Sequence, residues 1–220
     1  MKLVGIIALF IFLWAGERTY AQTDSFVPEW SYGINGGVTL SKVGFNSYLS
    51  VPQSLFKQFS GGITIRYISE SHFGIQGELN YSLRGWKERM DTVHVNQYTR
   101  SLAYFELPLL THIYFNLGKR MRLIFNLGPQ VGYYLSSKEE ERDIKDIPEP
   151  NYYDIAVQHS FDYGLKGVMG LEFRTKAGSF ILDGRYYYGL SDIFNSARSD
   201  PFQASHNMVI GVNLTYLFHR

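Results

Sequence analysis

The stretch that decides the fold lies at the C-terminal end of the chain, where residues 206–218 read HNMVIGVNLTYLF. Apolar side chains stand at every second position, from Met208 through Ile210 and Val212 to Phe218. Most of the positions between them are polar or glycine. Successive side chains of a β-strand point to opposite faces, so this period of two predicts a strand with one apolar face.

The same alternation recurs in seven further segments, each long enough for the roughly 9–11 tilted residues with which a strand crosses a bilayer. They are residues 30–42, 59–69, 73–87, 101–117, 121–135, 161–175 and 179–189. Short and long connections alternate between them, with turns at 70–72, 118–120 and 176–178 and longer segments at 43–58, 88–100, 136–160 and 190–205. We therefore predict an all-β fold: an eight-stranded antiparallel up-and-down transmembrane β-barrel with short periplasmic turns and long extracellular loops.

Apart from Lys42 and Lys87 at strand ends, the apolar face of the predicted strands carries no charged residue, as expected where a midplane charge costs about 2–4 kcal/mol. Aromatic residues gather near both ends of this face, which is typical of the girdles at membrane interfaces. The predicted periplasmic girdle contains Tyr32, Tyr67, Phe73, Phe173, Phe180 and Tyr216. The outer one contains Phe59, Tyr81, Phe105, Tyr133, Phe161, Tyr163, Tyr186 and Tyr188. A soluble barrel with its apolar face inside would also alternate, and it stays an alternative at this point.

The opposite face predicts a charged interior. Eight strands leave an interior just wide enough for side chains, and buried charges need partners, so we expect a salt-bridged, filled lumen and no open pore. The predicted lumen charge network consists of Arg66, Glu78, Arg84, Glu106, Lys166, Glu172, Arg174, Asp183 and Arg185, and Arg122 and Asp162 share its face.

Glu106 stands in the sequence Glu106-Leu107-Pro108 within the predicted strand 101–117. Proline cannot donate to the strand ladder and usually marks a bulge or a sheet edge. We predict a local bulge here, and an ion pair between Glu106 and an inward-facing arginine.

Residues 1–21 have the pattern of a secretory signal peptide. Lys2 precedes an apolar run from Leu3 to Ala15, and Thr19 and Ala21 provide small residues at the cleavage site. The run is too short to cross about 30 Å of hydrocarbon as a helix. We predict cleavage before Gln22, export, and a barrel domain over residues 22–220.

Composition excludes several classes of function. Removing residues 1–21 from 21 basic and 20 acidic residues leaves 19 of each, so no basic surplus attracts nucleic acid. The chain has no cysteine, which excludes disulfides and thiolate-ligated metals. Its six histidines show no metal-ligand spacing, and no phosphate-binding glycine loop opens a helix. We expect no cofactor, metal or catalytic site.

Two segments leave alternatives open. The loop 136–160 holds seven acidic and three basic residues, which is compatible with divalent cations or contacts to lipopolysaccharide, although a solvated loop is the more ordinary interpretation. Asp200, Ser205 and His206 lie near the predicted outer rim, where some small outer-membrane barrels carry acyltransferase residues.

Several motifs resemble one family. Residues 104–110, YFELPLL, resemble the YLEIPLL strand of the PorT-like outer-membrane β-barrel proteins common in Bacteroidetes, and residues 128–135, GPQVGYYL, resemble their GPYVGYLL strand. Residues 161–164, 170–173 and 185–190 are similar to their late strands. This resemblance implies an outer-membrane barrel without catalytic residues. The family's namesake supports type IX secretion.

The sequence thus predicts a non-enzymatic, integral outer-membrane barrel that is monomeric and acts as an envelope structural or interaction protein. Its expected partners are outer-membrane lipid, lipopolysaccharide and an envelope or secretion-system protein. The alternatives are an accessory role in type IX secretion, a lipid-modifying enzyme, and a soluble periplasmic ligand-binding barrel.

Overall fold

The structure, a computed structural model, describes residues 26–46, 53–89, 97–142, 156–195 and 204–219. No helix in these ranges has the length and hydropathy needed to span a bilayer. The predicted signal peptide lies outside the described residues. The strands are β1 (Glu29–Asn46), β2 (Gln53–Ser54), β3 (Phe56–Glu70), β4 (Phe73–Arg89), β5 (Gln97–Asn116), β6 (Met121–Arg142), β7 (Phe161–Thr175), β8 (Gly178–Gly189) and β9 (Ala204–His219).

One antiparallel sheet closes on itself into a barrel. The wall runs in the order β4-β3-β1-β9-β8-β7-β6-β5, and pairing of β4 with β5 joins its two ends. The first and last strands, β1 and β9, pair along their length. Closure is necessary in hydrocarbon, because an unsatisfied backbone N–H or C=O there costs several kcal/mol. The predicted eight-stranded antiparallel barrel is confirmed.

A short additional strand, β2, lies within the predicted loop 43–58. It pairs with Lys87 and Glu88 of β4. It thus lies beside β4 as β3 does, and Leu55 separates it from β3. The nearest pair between β3 and β4 is Ser60–Ser82, so these two strands separate between that pair and β2. Two residues are too few to show an alternating pattern, which is why the sequence did not predict this strand.

The hairpin of β5 and β6 is longer than predicted. Residues 97–103 pair with residues 136–142, so the loop predicted to begin at Ser136 begins after Arg142. On β6 both faces of this extension, residues 136–142, carry polar residues, because the extension rises beyond the apolar belt. The period-two signal therefore disappears although the ladder continues.

The bulge predicted at Pro108 is wrong. The register between β4 and β5 is the same at Gly77–Leu109 as at Asn80–Glu106, and the ladder only omits the pairs between them. On its other side Pro108 pairs with Gln130 in regular register. The sheet thus accommodates the missing N–H of Pro108 because Leu107 and Pro108 form no ladder pair with β4. The register shift in this hairpin lies instead between Ala103 and Tyr104.

The outer face of the barrel is an apolar belt, and the polar face points inward. Ile34, Ile63, Leu109 and Val212 each expose half or more of their surface outward. All the predicted girdle aromatics lie on this outer face, at least partly exposed. The fold therefore places apolar side chains where lipid lies and polar residues where the core lies, opposite to a soluble barrel.

Candidate functional site: a sealed barrel interior

Arg84 of β4 occupies the centre of the interior. Its Nη2 lies 2.8 Å from Oε1 of Glu106, and its Nη1 contacts the carboxylate of Asp162. The guanidinium carbon lies 4.3 Å from the ring centroid of Tyr187 and 5.0 Å from that of Tyr104. Two carboxylates and two aromatic faces therefore compensate for the loss of water around this buried cation.

A second ion cluster is built around Glu78. Its Oε2 lies 2.8 Å from Nη1 of Arg185 and 3.7 Å from Nζ of Lys166. Arg185 also contacts Asp183, with 2.6 Å between Nε and Oδ1. All four groups belong to the network predicted from the strand alternation, and their charges balance two against two.

A third group lies towards the periplasmic end. Nη1 of Arg66 lies 3.1 Å from Oε2 of Glu172, and both side chains are about 1% exposed. Oε1 of Gln76 accepts two further hydrogen bonds from Arg66, each 3.0 Å long. Arg174 stands apart: its Nη2 lies 3.0 Å from Oε2 of Glu29, at the beginning of β1.

The structure thus pairs each of the nine predicted lumen residues with an opposite charge. Glu106 meets an inward arginine, Arg84, as predicted. Arg122 differs, because its Nε donates to Oδ1 of Asn116 at 3.1 Å and its guanidinium covers the ring of Tyr114.

Apolar clusters close the interior above and below the charged layer. The periplasmic cluster consists of Ile68, Tyr114, Ile124, Ile181 and Leu217. The extracellular cluster, which we call the cap, consists of Val43, Trp86, Tyr98, Leu102, Tyr104, Ile193 and Phe194. Beside Arg84 only a small cavity of about 30 Å³ is left. The packing of the described residues is that of a closed barrel and not of an open pore.

The cap depends on the segment that follows β8. Ile193 and Phe194 turn into the barrel mouth, and their backbone amides both donate to Oγ of Ser205 at 3.0 Å. Oγ of Ser191 donates to Oδ1 of Asp162 at 2.7 Å, which ties the segment to the charged centre. Burial raises the pKa of Tyr98 within the cap. The sequence analysis missed this element, although two adjacent apolar residues in a polar loop were its signal.

The family model described as "Outer membrane protein beta-barrel domain" matches residues 20–195. The chain belongs to this family of outer-membrane β-barrels. It is accordingly an integral outer-membrane protein, and the soluble periplasmic alternative is set aside.

Solved structures resemble the barrel at low sequence identity. Ail, the attachment invasion locus protein of Yersinia pestis, is 16% identical, with a TM-score of 0.43 over 86% of this chain and 99% of Ail. Neisserial surface protein A is 12% identical, with a TM-score of 0.42 over 84% and 96%. AlkL, solved in lipid bilayers, is 11% identical, with a TM-score of 0.41 over 92% and 96%. No curated protein sequence matches the chain.

The rim residues considered for catalysis have other contacts in this outer-membrane barrel. Ser205 is fully buried, and its Oγ accepts the two amide hydrogen bonds that hold the cap. Nδ1 of His206 lies 3.6 Å from Oδ1 of Asp192 and 3.3 Å from the carbonyl oxygen of Ser191. Asp200 lies outside the described residues.

The acidic segment considered for cation binding is only partly described. Glu139 and Glu140 are strand residues: Oε1 of Glu139 lies 3.1 Å from Nε of Arg100, and Oε1 of Glu140 lies 2.7 Å from Nζ of Lys138. This bond to Glu140 raises the pKa of Lys138. No cluster of three metal-ligating residues occurs in the part of the chain that the structure describes.

Proposed function

We propose that this outer-membrane β-barrel is a non-enzymatic envelope protein that acts through its rims and loops and does not move solutes through its interior. The observation that carries the proposal is the centre of the lumen. There Arg84 is held by Glu106 and Asp162 between two tyrosine rings. Buried ion pairs of this kind are costly to separate, so the interior supports a structural role.

The test is electrical. Purified full-length protein in planar lipid bilayers should give no stable ion conductance, and neither should a variant with Arg84, Glu106 and Asp162 all changed to Ser, because the apolar clusters above and below the charged layer still close the interior. Gel mobility before and after boiling verifies that both proteins are folded. Stable conductance steps from the unmodified barrel would overturn the proposal.

The proposed absence of enzymatic activity has its own test. The buried position of Ser205 supports it, because the hydroxyl already accepts two amide hydrogen bonds. The protein in micelles with radiolabelled phospholipid should release and transfer no fatty acid. Acyl transfer that disappears in a His206→Ala variant would establish the lipid-modifying alternative.

An accessory role in type IX secretion is the second candidate. It is supported by the resemblance of residues 104–110 and 128–135 to PorT-like strands, which would also place the source organism among the Bacteroidetes. Deletion of the gene should then abolish secretion of type IX cargo, and a plasmid copy should restore it. Normal secretion by the deletion strain would remove this candidate and leave the closed-barrel proposal untouched.

A further inference from the structure

We infer that a cleft on the outer surface of the barrel, at its extracellular rim, binds the phosphate groups of lipid headgroups in the outer leaflet. The cleft has a volume of about 500 Å³. Three lysines from three different strands line it: Lys57 of β3, Lys87 of β4 and Lys138 of β6. We call these residues the lysine cleft.

The strand register brings the lysines to a common floor. Thr99 of β5 pairs with Lys87 on β4, and Ser101 pairs with Lys138 on β6. Paired residues of antiparallel strands have Cβ atoms about 4.5–5.5 Å apart, so each of these lysines stands beside a hydroxyl residue of β5. Lys57 completes the opposite wall. Ammonium and hydroxyl groups are donors that suit a phosphate.

The cleft is a built feature of the wall. It lies where β3 and β4 separate, and Gly85 of β4 stands there with a φ of 143°, where a side chain would strain the backbone. The carbonyl oxygen of Gly85, which β3 leaves free, accepts a hydrogen bond of 2.9 Å from Oγ of Ser41. Across the same gap, Nε2 of Gln58 donates to Oγ of Ser101 at 3.0 Å. Inward side chains therefore fix the opening in place.

The charge of the cleft is positive. Its one carboxylate, Glu140, pairs with Lys138, and both of these side chains are largely exposed. Lys57 and Lys87 form no ion pair with any residue that the structure describes. Two positive charges thus remain for a ligand, and that ligand should be an anion.

The position of the cleft relative to the membrane indicates which anion it binds. Lys57 lies two residues beyond Phe59 on the same outer face, which is about 6–7 Å along a strand. Phe59 belongs to the outer aromatic girdle, as do Tyr81 and Phe105, whose ring centroids lie 6.0 Å apart. Such girdles lie at the level of the lipid headgroups, so the lysines lie at the height of the lipid phosphates.

The opposite side of the rim has a different character. At the corresponding ends of β7 and β8, the outer face carries Phe161, Tyr163 and Tyr188 and no lysine or arginine among the described residues. The exposed Lys42 of β1 lies at the same level, two strands away from Tyr188 through Met208. Among the described residues, outward lysines at this level thus lie on β1, β3, β4 and β6 and none lies on β7 or β8, so the rim does not carry an even coating of charge.

The experiment compares two triple variants of the full-length protein in detergent micelles. The test variant carries Lys57→Gln, Lys87→Gln and Lys138→Gln. The control removes the same charge from the periplasmic turns, through Lys119→Gln, Arg120→Gln and Lys176→Gln. Gel mobility before boiling establishes that all the proteins are folded. Native mass spectrometry then measures binding of three probes: bisphosphorylated lipid A, its dephosphorylated form and inorganic phosphate.

We expect the unmodified protein and the control to bind bisphosphorylated lipid A. The test variant should bind it about tenfold or more weakly, since each surface lysine contributes substantially to attraction for anionic lipid. Equal binding by the test variant, or equal binding of dephosphorylated lipid A, would overturn the inference. Inorganic phosphate that binds as tightly as the lipid would also overturn it, because the cleft would then be a free-anion site.

Discussion

Arg84 of β4 contacts a single carboxylate oxygen of Glu106 on β5 through two nitrogens, with Nε at 2.9 Å and Nη2 at 2.8 Å. Both side chains are almost wholly buried. The pair links neighbouring strands inside the barrel and joins them to β7 through Asp162. It therefore connects three of the eight wall strands at one point.

Glu106→Gln should lower resistance to thermal unfolding. The amide keeps the shape of the side chain and one acceptor oxygen but removes the charge that neutralises Arg84. We expect the free energy of unfolding to fall by about 1–3 kcal/mol, as for loss of a charge-assisted buried bond. Circular dichroism during heating in micelles measures the change.

The matched control is Glu140→Gln, which removes the same charge from an exposed pair with Lys138. Surface pairs of this kind contribute about 0–1 kcal/mol, so this variant should melt close to the unmodified protein. An unchanged melting profile for Glu106→Gln would show that the central ion pair does not stabilise the barrel.

Lipid contact of the outer face predicts a depth-dependent cost of charge. Leu109→Arg, in the middle of β5, should reduce the folding free energy in vesicles by about 2–4 kcal/mol. Leu117→Arg, at the periplasmic turn, should cost only about 0–1 kcal/mol. Both leucines are at least half exposed, which makes them comparable. Urea titration of folding into vesicles measures both values, and equal costs would contradict the assignment of the belt.

The alternation of side chains predicted the eight wall strands and the inward charges because period two is a local property. Glu78 and Arg185 could be assigned to the interior from their own strands alone. Their contact could not, because 107 residues separate them and only the register of the closed barrel brings them together. Sequence could show which charges face inward but not which carboxylate each would meet.

The extracellular parts were harder to predict for a different reason. Above the lipid belt both faces of a strand can be polar, as in residues 136–142, so the alternation ends before the ladder does. The cap adds a tertiary contact: Ile193 and Phe194 pack against Trp86, which is distant in sequence. The extended ladder leaves no local pattern, and the adjacent apolar residues Ile193 and Phe194 do not indicate which side chain they pack against. Both features shape the rim on which our proposals depend.

A third prediction concerns the lysine cleft and stability. Lys87→Gln alone should leave the melting temperature in micelles within about 2 °C of the unmodified protein, because a surface change usually shifts stability by less than 0.5 kcal/mol. Gly85→Ala, where β3 and β4 separate beside the cleft, should instead destabilise the barrel. Its backbone has a positive φ, and the added Cβ would meet the carbonyl oxygen of Arg100. If Gly85→Ala melted like the unmodified protein, the backbone at the opening would not be fixed as described.

Phe194→Ala should open the cap without unfolding the barrel. Phe194 is 2% exposed, and its ring centroid lies 6.3 Å from that of Trp86, with Arg100 over its face. Loss of a buried phenylalanine costs about 3–5 kcal/mol. Here the variant should destabilise only the packing of the segment that contains Phe194, because the strand ladders do not involve this side chain. Protease added to intact vesicles should therefore cut between β8 and β9 much faster in the variant.

Leu190→Ala, which changes a half-exposed residue nearby, serves as the control and should be cut at the unmodified rate. Equal cleavage of Phe194→Ala and the control would mean that hydrogen bonds, such as those to Ser205 and Asp162, hold the segment without the apolar contacts, and the apolar cap would then not be what closes the extracellular end.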